Sequence, residues 1–190
     1  MLVSVWVSGS AQNNETLRER IDRWKADMAE FNARRSGDDM QQAVMDTLSW
    51  MQAQKALQDS SFVVEAEAVT FKYGNRIQVN STTNFVSLDG DRAVIQISPS
   101  YVHSGPNGVG GITVEGIASN LRMTTDKKGR VRLTMNVTGR GVNASVSISA
   151  TPGSNRVFVE VSPTFSSNTV RLEGNLVPFA HSTVFEGTSL

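Results

Sequence analysis

Residues 130–149 read RVRLTMNVTGRGVNASVSIS, and their alternation decides the fold. Val131, Leu133, Met135 and Val137 belong to one face, and Arg130, Arg132, Thr134 and Asn136 to the other. Val142, Ala144, Val146 and Ile148 then alternate with Asn143, Ser145, Ser147 and Ser149. Successive side chains of an extended strand leave opposite faces, so this period of two gives one buried face and one wet face. That is the mark of an antiparallel sheet, because parallel strands are buried on both faces.

The same period extends in both directions from this stretch. Ile112 to Thr125 joins Arg130 to Thr138 across Asp126-Lys127-Lys128-Gly129. Asn84 to Leu88 and Asp91 to Ile97 form a hairpin across Asp89-Gly90, a favoured tight-turn pair. Phe62 to Tyr73 reads as a long strand that turns at Gly74-Asn75 into Arg76 to Val79. On the C-terminal side, Thr151 to Asn155 turns the chain into Arg156 to Val161, and Thr169 to Val177 precedes an extended tail through Phe185. Before residue 59 the period is helical instead. Leu17, Ile21, Trp24, Met28 and Phe31 form one stripe, Ser36-Gly37 reads as a break, and Met40, Val44, Leu48 and Met51 form a second stripe. The expected fold is therefore α+β and mostly β, with two N-terminal helices and an antiparallel sheet of about nine strands, rolled or sandwiched. Residues 12–58 form the helical segment and residues 59–190 the antiparallel β domain.

Composition narrows the function classes. Eighteen basic residues balance eighteen acidic ones, so no broad field draws in nucleic acid or an anionic membrane. Cysteine is absent, which removes disulfides, thiol nucleophiles and cysteine metal sites. Leu2 to Val7 is a short apolar run followed by Ser8-Gly9-Ser10-Ala11, so residues 1–11 read as the remnant of a signal peptide cleaved after Ala11. A periplasmic or secreted protein is expected. No run approaches the ~20 apolar residues of a membrane helix, so no transmembrane segment is expected.

Ser98 to Gly116, SPSYVHSGPNGVGGITVEG, holds five of the fifteen glycines and one of the two histidines. A phosphate loop needs a helix after its glycines, and Ile112-Thr113-Val114 continues as strand. The loop is then either a tight architectural turn or a binding rim, with Tyr101 as an aromatic platform and His103 and Asn107 as polar contacts. His103 lies near Ser98, Ser100 and Ser104, and Glu65, Glu67 or Glu115 could orient it, but no nucleophile elbow is present. His103 and His181 are too far apart for a histidine-rich metal site, and Asp89-Gly90-Asp91 is explained as a turn; neither metal nor cofactor is expected. Glu65 and Glu67 share a strand face and read as a solvated edge. Arg130, Arg132, Arg140, Arg156 and Arg171 could share a wet face, where solubility accounts for them better than nucleic-acid binding.

The order of motifs carries a resemblance. NFVSLDGDRAVIQ at 84–96, GPNGVGGITVEG at 105–116, MNVTG at 135–139, and GNLVP at 174–178 with STVF at 182–185 follow one another. In these the chain resembles a family of uncharacterised secreted Bacteroidetes proteins catalogued as a domain of unknown function, over roughly Ala43 to Gly187. The resemblance implies an export signal, an envelope location and a mostly-β domain, and it assigns no functional residue. The expectation is an exported, soluble, non-enzymatic binding or cell-envelope accessory protein. Two alternatives are a carrier of a lipid or other apolar ligand in a rolled sheet, and a hydrolase using His103. Partners would be a small molecule, a lipid or an envelope protein, with self-association possible through the Leu17 to Phe31 stripe.

Overall fold

The structure is a computed structural model that describes residues 17–98, 111–140, 142–164 and 168–187. The expected signal remnant at 1–11 lies outside the described residues, as does the 99–110 segment with Tyr101, His103 and Asn107. Two compact units are present, Met1–Gln42 and Ala43–Leu190.

Helix α1 runs unbroken over Leu17–Gln58, so the two expected helices are one. Ser36 and Gly37 do not end it. A glycine inside a helix costs only ~1 kcal/mol against alanine, and no proline follows to force the break. In the first unit the predicted stripe is exposed, with Trp24 63% and Phe31 57% accessible. In the second unit the last turns of α1 bury Ala53, Ala56 and Leu57 in the same core as the strands, while Val44, Leu48 and Met51 stay exposed.

Nine strands follow: β1 (Ser61–Thr70), β2 (Arg76–Gln78), β3 (Phe85–Asp89), β4 (Arg92–Ile97), β5 (Ile112–Thr125), β6 (Val131–Gly139), β7 (Val142–Ala150), β8 (Arg156–Pro163) and β9 (Val170–Pro178). All pairings are antiparallel, in the order β2-β1-β3-β4-β5-β6-β7-β8-β9, and β9 also pairs with β1. The rolled sheet is thus a closed barrel of eight strands, with β2 as a short flap on the far half of β1. The β3–β4 turn is Gly90-Asp91, one residue later than the expected Asp89-Gly90, because Asp89 itself pairs with Arg92.

Closing a sheet requires the strands to bend, and two irregularities supply the bend. One lies in β1 between Ala66 and Ala68, and the other in β5 between Ser119 and Arg122, where Asn120 takes the left-handed φ of 54°. Eight strands leave an interior that side chains can fill. Phe62, Leu88, Met135, Val146, Ile148, Val159, Leu172 and Leu176 all point into it and are 1% exposed or less.

Outside the barrel, the two halves of the wall differ. Val63, Phe85 and Val94 form a second, outer cluster with Val177, Phe179 and Val184. The C-terminal tail is laid over this part of β1, β3 and β4. It is held where the Phe185 amide donates to the Thr82 carbonyl at 2.8 Å and the Ser182 hydroxyl donates to Glu65 at 2.7 Å. Double burial explains why these strands read as near-continuous apolar runs. The other half of the wall, β6 to β8, keeps the clean alternation and stays wet.

Candidate functional site

The wet wall carries an open groove. Two rows of outward side chains cross it in direct register. The first is Thr124, Arg132, Ser149, Phe158 and Glu173 on β5 to β9. The second is Arg122, Thr134, Ser147, Glu160, Arg171 and Thr70 on β5 to β9 and β1. Between and beside these rows lie two depressions of about 440 Å³ and about 340 Å³, which share Arg132 and Ser149. Strand alternation places the side chains there, since Leu133, Ile148, Val159 and Leu172, in the row between, point into the core.

Electrostatics single out one residue of the groove. Arg76, Arg130, Arg132 and Arg171 line it, with Asp126, Glu160 and Glu173. Glu160 holds Arg171 at 2.9 Å, and Asp126 holds Arg130 at 2.7 Å. Glu173 holds both Arg76, at 2.8 Å, and Arg156, at 2.6 Å. The side chain of Arg132 makes no ion pair or hydrogen bond among the described residues and is exposed. Of the five arginines that the sequence places on a wet face, Arg130, Arg156 and Arg171 are ion-paired, whereas among the described residues Arg132, at the junction of the two depressions, and Arg140, outside the groove, are not. Phe158 is the apolar element of the groove and is 56% exposed between Ser149 and Glu173.

Hydrogen bonds from Arg76 and then Arg156 hold the Glu173 carboxyl below the usual carboxylate range. A carboxyl depressed in the folded state stabilises above its unfolded pKa, and that contribution is lost as pH falls through the depressed value. In a carboxyl-detected NMR titration, Glu173 should protonate below the range of a free glutamate, and Arg76→Gln should raise its midpoint. Titration in the ordinary range would contradict the ion-pair ladder.

Other sequence-predicted groups have structural partners. Glu65 accepts from Ser182, while Glu67 accepts from Asn175 at 2.9 Å and from Arg156 at 3.3 Å. Glu115 is bound by Arg92 at 2.7 Å, and Asp89 accepts from the Ser61 hydroxyl at 2.8 Å. His181 ends a short 3-10 turn, Phe179–His181. Among the described residues no group of three or more His, Cys, Asp or Glu could hold a metal ion, and no helix is long and apolar enough to cross a membrane.

The base of the glycine-rich loop is also built. The Asn84 side chain, fully buried, accepts from the Ser98 amide at 2.7 Å and donates to the Ser98 carbonyl at 3.1 Å. At the other end Gly111 has φ 72° and lies so close to the Ile97 carbonyl that no side chain fits there. Sequence reasoning singled out the loop and its glycines as a turn, which the left-handed Gly111 fits, and missed the Asn84 anchor. It also missed Phe158, whose only signal is a large apolar residue on the polar side of an otherwise alternating strand.

A closed antiparallel barrel of eight strands with a polar groove on its outer wall defines a small β-barrel domain. The chain belongs to the DUF4251 family, a domain of unknown function, whose model matches residues 45–176. It is similar to the crystal structure of a DUF4251 family protein from Bacteroides eggerthii DSM 20697. The two are 37% identical with a TM-score of 0.66, over 75% of this chain and 96% of that one. No curated protein matches the sequence. The family relation read from the order of motifs is thus correct, and the groove falls wholly inside the matched region.

Proposed function

We propose that this is an exported, non-enzymatic binding or cell-envelope accessory protein whose ligand seats in the outer-wall groove. The observation that carries the reading is Arg132, a guanidinium with no partner among the described residues, at the meeting point of two depressions on the barrel wall. A site of a few hundred Å³ with a small set of convergent polar groups and one apolar patch suits recognition. Export is supported by the apolar run and small residues of the first eleven positions. A lipid inside the barrel is less well supported, because the inward side chains of the core are almost wholly inaccessible.

The glycine-rich loop is proposed as a second contact surface, with Tyr101, His103 and Asn107 as its contacts; its anchoring by Asn84 at Ser98 supports this. The hydrolase alternative predicts that His103→Ala abolishes turnover of a substrate, whereas the binding reading expects a change in affinity at most. Self-association is proposed through the exposed stripe of Ile21, Trp24, Met28 and Phe31, and sedimentation of the chain without residues 12–35 would test it.

The deciding experiment is a two-dimensional NMR titration of the labelled chain with separated polysaccharide, lipid and protein fractions of a bacterial envelope. The groove reading expects resonances of residues 130–134, 145–149 and 158–160 to move with one fraction. Shifts confined to other surfaces, or none with any fraction, would overturn it.

A further inference from the structure

We propose that the groove binds an acidic polysaccharide, with Arg132 clasping a sugar carboxylate and Phe158 lying under a sugar ring. This rests on the binding reading above and names its ligand class. Charge is the first argument. Among the described residues Arg132 is the one lining guanidinium without a carboxylate, and the exposed Arg122, likewise without one and in register with Thr134, gives a second, spaced cation such as successive acidic sugars would meet. A guanidinium presents a planar fork of donors that fits a carboxylate with two parallel hydrogen bonds. Nucleic acid, with a charge on every residue, calls for a basic groove and several stacking aromatics, whereas among the described residues Phe158 is the one ring lining this groove and three of its four arginines are ion-paired.

Surface chemistry is the second argument. A pyranose has C–H faces that pack on an aromatic ring and a rim of hydroxyls that both donate and accept. Phe158 supplies the ring, and its neighbours in register, Ser149 and Glu173, supply groups for the rim. Ser147 and Thr124 add two more hydroxyls, one in each depression.

Shape is the third argument. The two depressions join across Arg132 into a groove that spans β5 to β9 and reaches β1, which suits a run of linked sugars better than one compact molecule. An acidic peptide would be expected to add itself to an exposed strand edge. Here β6, β7, β8 and β9 are each paired on both sides, so the wall has no edge to offer.

The test uses the full chain and polygalacturonate as the probe, followed by isothermal titration calorimetry. Neutral dextran, polyglutamate and single-stranded DNA serve as comparators. Polygalacturonate should bind and dextran should not. Arg132→Gln and Phe158→Ser should each weaken binding about tenfold or more, with thermal unfolding unchanged because both side chains are exposed. Lys55→Gln, on α1 within the barrel's own unit and outside the lining of both depressions, should bind as the parent does. No binding of polygalacturonate, equal binding of polyglutamate or DNA, or full affinity in Arg132→Gln would each overturn the proposal. If polygalacturonate fails while an envelope fraction still shifts the groove resonances, this inference falls and the binding reading stands. If both fail, both fall.

Discussion

Gly174→Ala is expected to cost the barrel a large part of its stability. Gly174 faces Ala66 on the seam where β9 meets β1, the pairing that turns the sheet into a cylinder. A Cβ at this position would be driven into the carbonyl oxygen of Glu65 and would stand 2.7 Å from the Ala66 Cα. Both obstacles are backbone atoms, so no rotamer change relieves the overlap. The strands must part beside the existing irregularity at Ala66 to Ala68, and the seam's hydrogen bonds go with them. Overpacking ordinarily costs about 1–3 kcal/mol, and a backbone clash on a closing seam should exceed that, at about 3–5 kcal/mol. Set against a typical ~5–15 kcal/mol of total stability, the loss is large. Urea unfolding followed by circular dichroism should show the midpoint falling steeply, or no cooperative transition at all. Gly37→Ala is the matched control, since nothing lies within 4 Å of the added methyl in the α1 interior, and there stability should hold or rise. A Gly174→Ala midpoint within about 1 kcal/mol of the parent would refute the closed seam.

Gln96→Leu should release the C-terminal tail and cost about 3–5 kcal/mol. Gln96 is fully buried on β4, and its amide makes four hydrogen bonds. Its nitrogen donates to the Thr83 carbonyl at 3.0 Å and to the Phe185 carbonyl at 2.9 Å. Its oxygen accepts from the Thr113 hydroxyl at 3.1 Å and the Gly187 amide at 2.8 Å. Leucine matches the volume and removes every partner, which strands two carbonyls and an amide away from water. The cheapest escape is for the tail to lift and rehydrate, uncovering Val63, Phe85 and Val94. Hydrogen exchange should then be fast at the Phe185 and Gly187 amides, while the β6–β7 amides remain slow. Unchanged protection at Phe185 would show that the tail is held without Gln96.

Much of this architecture is written locally. The alternation in 130–149 and its continuation on both sides identify the nine strands to within a few residues, because side-chain period follows directly from extended backbone geometry. The motif order was also sufficient to place the chain in its family. Helix continuity was misread at Ser36-Gly37, where residues that favour termini carry too small a penalty to stop a helix with good formers on both sides. The near-continuous apolar runs of β1, β3 and β4 held a further signal, burial on both faces, which tells of a covering layer without naming it.

The sequence by itself determined which residues are strand, which face of β6 to β8 is wet, and that Arg132 belongs to that wet face. Only the tertiary structure decided that the sheet closes, that its inward side chains are buried, and that among the described residues Arg132 alone of the arginines lining the groove lacks a carboxylate. Arg156 meets Glu67 across 89 residues of sequence, and Gly174 meets Ala66 where the barrel shuts. Local periodicity sets each strand's two faces. Which strands become neighbours, and so which charges cancel, depends on contacts between distant segments that exist only once the chain has closed on itself.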